Sequence, residues 1–547
     1  MDWPVRQILA DRQRSKPSSR LFLVIAIAAA IGILFFGIWR ASSPGGFAWG
    51  TQGQKPAPAP PDQPIATAQA PAQIALPRGG SLTGSTDALG DTLTRLVHAP
   101  LVRINRSTDQ VEPWIAESWT VSADNLTYVF KIRAGILWSD GTPLSAEEIV
   151  AVLAAVPLHG GKLAARAIDP LTIEVTFPEP FAPGLRLLDG VPILSAGKPG
   201  AGLGPFIAKP GAKGAAMRTL VRNPHYWRKA PDGGTLPYID ELTLASFSPG
   251  SPGAPGPLDF VDAALRPDDY EELKKLEQSG KGRIFELGPG MDTGAMWLLN
   301  AANKPWLSDE KFRLAISAAI DRRQFCRQVY FGACDPVAGP VTPANRVWFN
   351  PDLPLGRGNP LVAREMLANL GFRDRTGDGI LEDAAGRSVR FSLLIRGDVA
   401  ASVRAGAFLK ETLRAAGIDV EITPLAAGAL HSRRARGAYE ALYDVNVFRD
   451  TDPAMNLDFW MTVSDPPLVG WQHQINELML KNACSFDRIV RLQAFADVQR
   501  IYSQHVPALF FGAPHVRIFT SPRVLNATPS PLRPHLLWNA DSLAVVQ

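Results

Sequence analysis

The chain has 547 residues, of which 46% are hydrophobic and 20% are charged, and its formal net charge is +4. That length exceeds what one hydrophobic core supports, so two or more folded units are expected. The near-neutral charge and the lack of basic runs interleaved with aromatic residues give no reason to expect a nucleic-acid partner. Three cysteines are too few for a disulfide framework.

Residues 21–39 form an apolar stretch without any charged residue. As a helix the stretch would be roughly 28 Å long, about the thickness of the hydrocarbon core of a bilayer. Five basic residues precede it: Arg6, Arg12, Arg14, Lys16 and Arg20. The positive-inside rule therefore predicts a cytoplasmic tail at 1–20, a transmembrane anchor at 21–39 and export of the remainder.

A cleaved signal peptide is the competing interpretation of this stretch. The apolar region of a signal peptide usually has 7–15 residues and is followed closely by a small-x-small cleavage site. Here the nearest such site, Gly46 to Ala48, comes late, and no cysteine lies near the helix to carry a lipid. We therefore favour an uncleaved anchor.

Residues 40–77 are rich in Pro, Ala, Gln and Gly. Such a composition has too few large apolar side chains to form a core, so a disordered linker is expected. A coil of this length reaches roughly 35 Å on average, which would hold the folded part away from the membrane surface.

Residues 126–150 read as a strand, a turn and a capped helix. Tyr128, Phe130 and Ile132 point one way while Thr127, Val129, Lys131 and Arg133 point the other, which is the period of a half-buried strand. The sequence SDGTP then supplies turn chemistry. Ser145 and Glu148 have the spacing of a capping box at the start of a helix.

The wording of this segment, FKIRAGILWSDGTPLSAEEI, resembles the signature of the extracellular solute-binding proteins of family 5, which serve ABC importers. Further segments resemble the family: PWIAESW from Pro113, GLGPF from Gly202, RNPHYW from Arg222 and AAIDR from Ala318. The resemblance implies an α/β, two-lobe periplasmic-binding-protein fold of type II, in the large class with an extra subdomain and here preceded by one transmembrane helix. Family members are receptors, so no enzymatic activity is expected.

The resemblance also implies a division of the chain. The predicted parts are a tail (1–20), an anchor (21–39), a linker (40–77), lobe I (78–290, with the extra subdomain at about 110–200), lobe II (291–512) and a return to lobe I (513–547). The chain would cross between lobes near 287–293 and 506–514, where Gly288, Gly290 and Gly512 suit hinges, although simple turns explain these glycines equally well. Strands at 390–395, 418–422 and 441–448, with a helix at 399–416, predict a mostly parallel sheet covered by helices.

The segment from Phe448 to Pro453 resembles the family's D-x-x-D-P segment, which leaves the sheet of lobe II at the cleft. The resemblance implies that in peptide-binding members its first Asp holds the α-ammonium of the ligand. Alignment on Asp452 puts Arg449 at that position, and Asp450 replaces it only if the loop shifts by one residue. A guanidinium can hold a carboxylate or phosphate through two parallel hydrogen bonds.

The sequence therefore predicts a ligand with an anionic or strongly polar acceptor group, bound at Arg449. The alternative is that Arg449 pairs internally with Asp450 or Asp452 and only shapes the loop. Aromatic side chains supply much of the contact area in clefts. The predicted ligand-binding residues are Phe448, Arg449, Asp450, Asp452, Trp297 and Trp460.

Other motifs argue against metals, cofactors and catalysis. Asp374 to Gly379 resembles the start of a calcium loop, but loop position 12 falls on Ala385, so a structural turn is expected. The histidines show no metal-ligand spacing, and neither a G-x-S-x-G elbow nor a P-loop occurs. We expect no metal, no cofactor and no hydrolase or NTPase chemistry.

The cysteines leave one question open. In an oxidising compartment Cys326 and Cys334 could form a disulfide, or they could be two buried free thiols. Cys484 has no partner nearby in the sequence and is expected to be a buried free thiol.

The predicted function is that of a receptor anchored in the bacterial inner membrane by one helix, with its folded part in the periplasm. It would capture a peptide-like or other small solute by hinge closure and present it to the permease subunits of an ABC transporter. The alternative is a signalling or scaffold protein that keeps the fold without import duty.

The topology can be tested with a reporter fused after Gly50. We expect the reporter to be active in the periplasm, and residues 1–20 to remain on the mature protein, because the long apolar helix stays in the membrane. A mature chain that starts between Ala41 and Trp49 would contradict the anchor.

Overall fold

The computed structural model describes residues 76–158, 161–195, 197–210, 217–247, 258–265, 267–299, 304–448, 450–462 and 468–546. The predicted tail, the anchor, nearly all of the predicted linker and Arg449 lie outside these residues. Within the described ranges, no helix is both long and apolar enough to cross a membrane.

The strands of the described residues fall into five sheets. In chain order they are β1 (Ser81–Thr86), β2 (Val102–Asn105), β3 (Gln110–Pro113), β4 (Ala116–Val121), β5 (Thr127–Ile132), β6 (Pro157–Leu158), β7 (Gly161–Lys162), β8 (Ala164–Asp169), β9 (Thr172–Thr176), β10 (Phe206–Ala208), β11 (Met217–Arg222), β12 (Glu241–Ser246), β13 (Phe260–Asp262), β14 (Arg283–Pro289), β15 (Thr293–Leu298), β16 (Cys334–Pro336), β17 (Arg390–Arg396), β18 (Asp419–Leu425), β19 (Ala441–Asn446), β20 (Leu509–Thr520), β21 (Val524–Leu525) and β22 (Ala544–Val545).

Helices cover the faces of the larger sheets. They are α1 (Leu89–Val97), α2 (Ala146–Leu153), α3 (Gly184–Asp189), α4 (Pro267–Gln278), α5 (Glu310–Ala319), α6 (Arg322–Tyr330), α7 (Pro360–Asn369), α8 (Ala400–Ala415), α9 (Ala427–Ala435), α10 (Leu457–Trp460), α11 (Gly470–Cys484) and α12 (Arg488–His505). Short 3-10 helices span Pro305–Ser308, Pro453–Asn456 and Leu537–Ser542.

The largest sheet runs in the order β10-β11-β12-β1-β13-β20-β15-β19-β17-β18, and β14 and β16 also pair with β20. Strand β17 is parallel to both β18 and β19, as the βαβ rhythm of the sequence predicts. However, β15 pairs antiparallel with β19 and β20, so the predicted mostly parallel sheet is wrong for that part of the sheet. The reason is that β15 and β20 belong to connecting segments and not to βαβ units. Among β1 and β10–β13, β1 is parallel to β12 and β13, while the other pairs are antiparallel.

Strand β20 is shared by the two halves of this sheet. Its residues from Leu509 to Pro514 pair with β15 and β16, and those from His515 to Thr520 pair with β14 and β13. We call the half with β10–β14 and β1 the first lobe, and the half with β15–β19 the second lobe. The hinge role of the two crossings and the predicted domain boundaries stay predictions.

Each lobe has its own hydrophobic core. The first-lobe core includes Leu82, Leu242, Leu244, Phe260 and Ile518. The second-lobe core is larger and includes Phe312, Phe325, Phe391, Leu409 and Phe511.

A third core lies under the four-stranded antiparallel sheet β4-β5-β9-β8. Tyr128, Phe130 and Ile132 on β5 are buried there, which confirms the predicted alternation. Ser145 and Glu148 form the predicted capping box at the start of α2. This sheet, with α2 and α3, is the subdomain referred to below.

The structure answers the question about the cysteines. Cys326 and Cys334 form a disulfide with Cα atoms 5.2 Å apart. Cys484 is free, but it is exposed and not buried as predicted. It is the last residue of α11 and follows buried Ala483, so its side chain falls on the solvent side.

Gly512 on β20 packs directly against the disulfide. A Cβ atom at this position would overlap the sulfur atoms of both Cys326 and Cys334. Close-packed interiors accommodate such added atoms only by shifting their neighbours.

Gly512→Ala should therefore destabilise the protein by about 1–3 kcal/mol in a non-reducing urea titration. The matched control is Gly428→Ala on α9, where an added Cβ meets nothing within 4 Å and alanine favours the helix. Equal unfolding midpoints for the two variants would contradict the proposed overlap.

The C-terminal segment docks on the first lobe through buried Asp262 at the end of β13. One carboxylate oxygen, Oδ1, accepts a hydrogen bond from the Leu536 amide at 2.7 Å. Burial raises the pKa of Asp262 from 3.8 to about 7, and the charge of Asp87 acts in the same direction. The folded protein therefore binds more protons than the unfolded chain between pH 4 and 7, so this group makes stability fall as pH rises through that window.

Asp262→Asn should remove this contribution while it keeps an oxygen acceptor for Leu536. Between pH 4 and 7 the free energy of unfolding of the wild type should fall relative to the variant, with a slope of up to about 1.4 kcal/mol per pH unit. Urea unfolding at a series of pH values measures the difference. Parallel curves for the two proteins would contradict the raised pKa.

Candidate functional site

A small cavity lies where the two lobes meet. It is lined by Arg106, Met291, Phe448, Asp450, Thr451, Pro531, Leu532 and Arg533. These residues come from the loop after β2, the β14–β15 connection, the loop after β19 and the C-terminal return. The cavity measures about 10 Å³, which is roughly the space that one water molecule needs.

A second cavity of about 50 Å³ lies where the first lobe meets the subdomain, and Arg95, Arg103, Trp114 and Trp538 are among its lining residues. Arg106 lines both cavities and forms part of the wall between them. The cavity between the lobes is the candidate site, because it alone of the two joins residues of both lobes with predicted site residues.

Arg106 is the buried cation on the first-lobe side. Its Nη2 donates to Asp189 Oδ2 at 3.0 Å, and Arg95 donates to the same oxygen at 3.2 Å. Burial lowers the pKa of Arg106, and Asp189 partly offsets that effect. Burial alone would raise the pKa of Asp189, but Arg106 and Arg95 outweigh it and lower that pKa. The pair therefore stays charged at the wall of the cavity.

Arg533 is the cation contributed by the return segment. It forms two hydrogen bonds with Asp292, at 2.8 and 3.0 Å, and a longer one with Asp87 at 3.3 Å. Burial would lower its pKa, but these two carboxylates raise it. Because Asp292 lies in the β14–β15 connection, this pair ties the return segment to one of the two crossings between lobes.

An aromatic cluster supports the second-lobe side. The Phe448 ring stacks on Trp460 at 5.8 Å and meets Phe459 edge to face at 4.9 Å. Trp460 in turn packs edge to face against Phe495. The cluster fixes the start of the loop that carries Asp450 and Thr451 to the cavity.

Asp450 and Thr451 are tied across the cleft to the subdomain. Arg186 on α3 donates its Nε to Asp450 Oδ1 and its Nη2 to Thr451 Oγ1, each at 2.7 Å. The same Nη2 reaches Asp109 Oδ1 at 2.7 Å, and the Thr451 hydroxyl donates to Asp109 Oδ2 at 2.7 Å. Burial raises the pKa of Asp450, and Arg186 only partly offsets this.

The structure brings only part of the predicted site together. Phe448 and Asp450 line the cavity, whereas Arg449 between them lies outside the described residues. Asp452 is buried and forms two hydrogen bonds with Arg491, at 2.7 and 2.8 Å. Their contact with a ligand stays a prediction.

The two predicted tryptophans lie away from the cavity lining. Trp460 is in the aromatic cluster, and Trp297 is half-buried on β15 with the Arg434 guanidinium 4.0 Å above its ring. Their role in ligand contact also stays a prediction.

Sequence reasoning missed Arg106, Arg186 and Arg533. No local motif marks them, and Arg186 is 264 positions from Asp450. Nothing in the local sequence distinguishes these three arginines from exposed ones.

Several buried polar atoms near the cavity have no hydrogen-bond partner among the described residues. They are Thr293 Oγ1, Thr342 Oγ1, Asn345 Oδ1 and Asn446 Nδ2. Asn345 donates its amide to the Thr451 carbonyl, and Thr293 is opposite Asn446 between β15 and β19. Unpartnered buried groups cost about 1–3 kcal/mol each, but none of these four side chains is in the cavity lining.

Asp374, Asp378 and Glu382 lie close together at the segment that resembles a calcium loop. Asp374 accepts hydrogen bonds from the amides of Gly377 and Gly379, and Arg364 donates to it. Glu382 accepts from the Arg375 amide. The carboxylates are thus engaged in closing the turn that the sequence predicts.

Comparison with known proteins places this chain in a family. Residues 110–466 match the family model of the bacterial extracellular solute-binding proteins, family 5 Middle. A probable ABC transporter-binding protein of Deinococcus radiodurans is 24% identical over 384 residues, which are 60% of this chain and 63% of that protein. The probable peptide ABC transporter periplasmic-binding protein y4tO of Sinorhizobium fredii is 26% identical over 491 residues, 79% of this chain and 86% of that protein.

The solved structure of NikA from Brucella suis in complex with Fe(III)-EDTA has a TM-score of 0.71 and 19% identity, and the match covers 85% of this chain and 100% of that one. This likeness confirms the two-lobe periplasmic-binding-protein fold. Since the family match extends over more than half of the sequence, the chain belongs to the bacterial extracellular solute-binding proteins of family 5.

Proposed function

We propose that this chain is a membrane-tethered periplasmic receptor of an ABC importer, which captures a peptide-like or other small solute by closing its lobes. The observation that carries the proposal is the cavity at the lobe junction, walled by charged side chains from both sides of the cleft. A space of about 10 Å³ is far below the roughly 300–1,000 Å³ of ligand pockets, so a solute enters only when the lobes separate. The crossings at β14–β15 and in β20 supply the two connections about which such motion would occur.

The membrane tether and the partnership with permease subunits rest on the sequence. Residues 21–39 are long and apolar enough to span a bilayer. The linker at 40–77 would let the folded part reach a transporter in the same membrane. The family membership supports the importer over a scaffold.

The solute that fits this cleft carries an anionic or strongly polar acceptor group. Asp189, Asp292 and Asp450 around the cavity are each already paired with an arginine. Arg106 uses Nη2 for Asp189, and its Nε and Nη1 have no partner among the described residues. We propose that Arg106, with Arg449 from the loop between Phe448 and Asp450, binds the anionic group.

The receptor function is tested on the full chain, purified in detergent from its native host or a close relative. Mass spectrometry of the small molecules that co-purify should identify a solute with a carboxylate or phosphate group. Isothermal titration with that compound should then show one site. Repeated purification without any bound compound, and no binding across a peptide and chelate panel, would contradict the receptor.

Arg449→Ala and Arg106→Met should each weaken binding of that solute by roughly 2–4 kcal/mol, because each removes a charged hydrogen-bond partner from the closed cleft. The matched control is Arg166→Met on β8, an arginine paired with Glu174 in the subdomain sheet. The control should bind as the wild type does. Unchanged affinity in both cleft variants would contradict the anionic solute.

A further inference from the structure

Arg186 pairs with Asp450, the carboxylate among the described residues that line the cavity. It lies on α3 of the subdomain, while Asp450 and Thr451 follow β19 of the second lobe. Its guanidinium donates to both of them and to Asp109 in the β2–β3 turn. The side chains of Arg186 and Asp450 are each only 13% exposed. The contact is therefore a buried ion pair between lobes.

A second, independent contact joins the same two parts of the molecule. The backbone amide of Ala182, two residues before α3, donates to the carbonyl oxygen of Ala483 near the end of α11 at 2.7 Å. The Thr451–Asp109 hydrogen bond also crosses between the lobes. Opening the cleft breaks all of these bonds together, so the ion pair and the closed arrangement depend on each other.

The pairing also determines what Asp450 can bind. A buried carboxylate is costly unless a cation is close, and Arg186 supplies that cation from within the chain. Because the guanidinium is tethered by the backbone, its effective concentration at Asp450 exceeds that of a dilute solute. An ammonium group would have to displace Arg186 from Asp450 and leave it with Asp109 and Thr451.

We propose that Arg186 is the resident cation of the cleft: it holds the lobes closed without a solute and excludes ammonium-bearing solutes from Asp450. The inference rests on the proposed hinge closure and adds a specificity-determining residue to it. A solute with an anionic group can still approach Arg106 on the opposite wall, since that side chain lines the cavity. The cleft therefore favours solutes with an anionic group over solutes with an ammonium group.

The first test measures opening of the full chain in detergent without added solute. Hydrogen–deuterium exchange of the peptide that contains Ala182 should be at least about tenfold faster in Arg186→Met than in the wild type. The matched control, Arg166→Met, breaks the exposed pair with Glu174 and should exchange as the wild type does. If Arg186→Met fails to fold, Asp450→Asn takes its place, since it keeps the side-chain shape. Exchange of the Ala182 peptide should then also be faster in Asp450→Asn than in the wild type. Unchanged exchange at Ala182 in the folded variants would overturn the proposal that Arg186 holds the lobes closed.

The second test measures selectivity with two synthetic probes, trialanine and N-acetyl-trialanine. Arg186→Met should bind trialanine at least about tenfold more tightly than the wild type does, because Asp450 is then free for the ammonium group. The acetylated probe should show no such gain. Equal trialanine affinity in the two proteins, or absence of binding in both, would overturn the exclusion of ammonium groups.

These outcomes are separable from failure of the receptor function. The exchange test needs no solute, so it can succeed even if no transported compound is found. Conversely, a compound that co-purifies with the wild type would support the receptor even if Ala182 exchange does not change in Arg186→Met.

Discussion

The backbone ladder of β20 is the constraint on which the two-lobe arrangement depends. One continuous strand of 12 residues supplies hydrogen bonds to β15 and β16 in its first half and to β14 and β13 in its second half. The buried Arg322 guanidinium donates to the Phe510 carbonyl, and Gly512 leaves room for the disulfide beside it. The lobes are thus two halves of one sheet, which β20 and the β14–β15 connection join.

The cleft that this arrangement creates is held by charged pairs as well as by an apolar contact, since Met291 and Leu532 share one buried cluster with Phe448. Arg106, Arg186 and Arg533 are each held by carboxylates of the same chain. Burying such groups has a desolvation penalty, and the ion pairs offset that penalty only while every charge keeps its partner. Under the proposed function, a solute would exchange one set of polar contacts for another, and its affinity for the closed state would set how far the population shifts.

The support behind each wall explains why the polar groups hold their positions. Phe448 is fixed by stacking on Trp460, so the loop that follows leaves the aromatic cluster in a defined direction. On the other side, Leu188 of α3 is buried in the subdomain core, which aims Arg186 at the cleft. Large apolar anchors next to buried charges are the usual way in which a cleft is pre-organised, because the anchors bear the cost of ordering the chain.

The sequence by itself determined the family, the strand–turn–helix from Tyr128 to Glu148, and the position of the loop from Phe448 to Asp452. These features depend on local periodicity, on capping residues and on sequence motifs, each of which lies within a short stretch of the chain. The tertiary structure alone decided that Arg186 meets Asp450, that Arg106 and Arg533 line the cavity, and that β15 and β20 turn a parallel sheet into a mixed one. The physical reason is that these contacts join segments hundreds of residues apart, where an arginine has the same local pattern whether it faces solvent or a buried carboxylate.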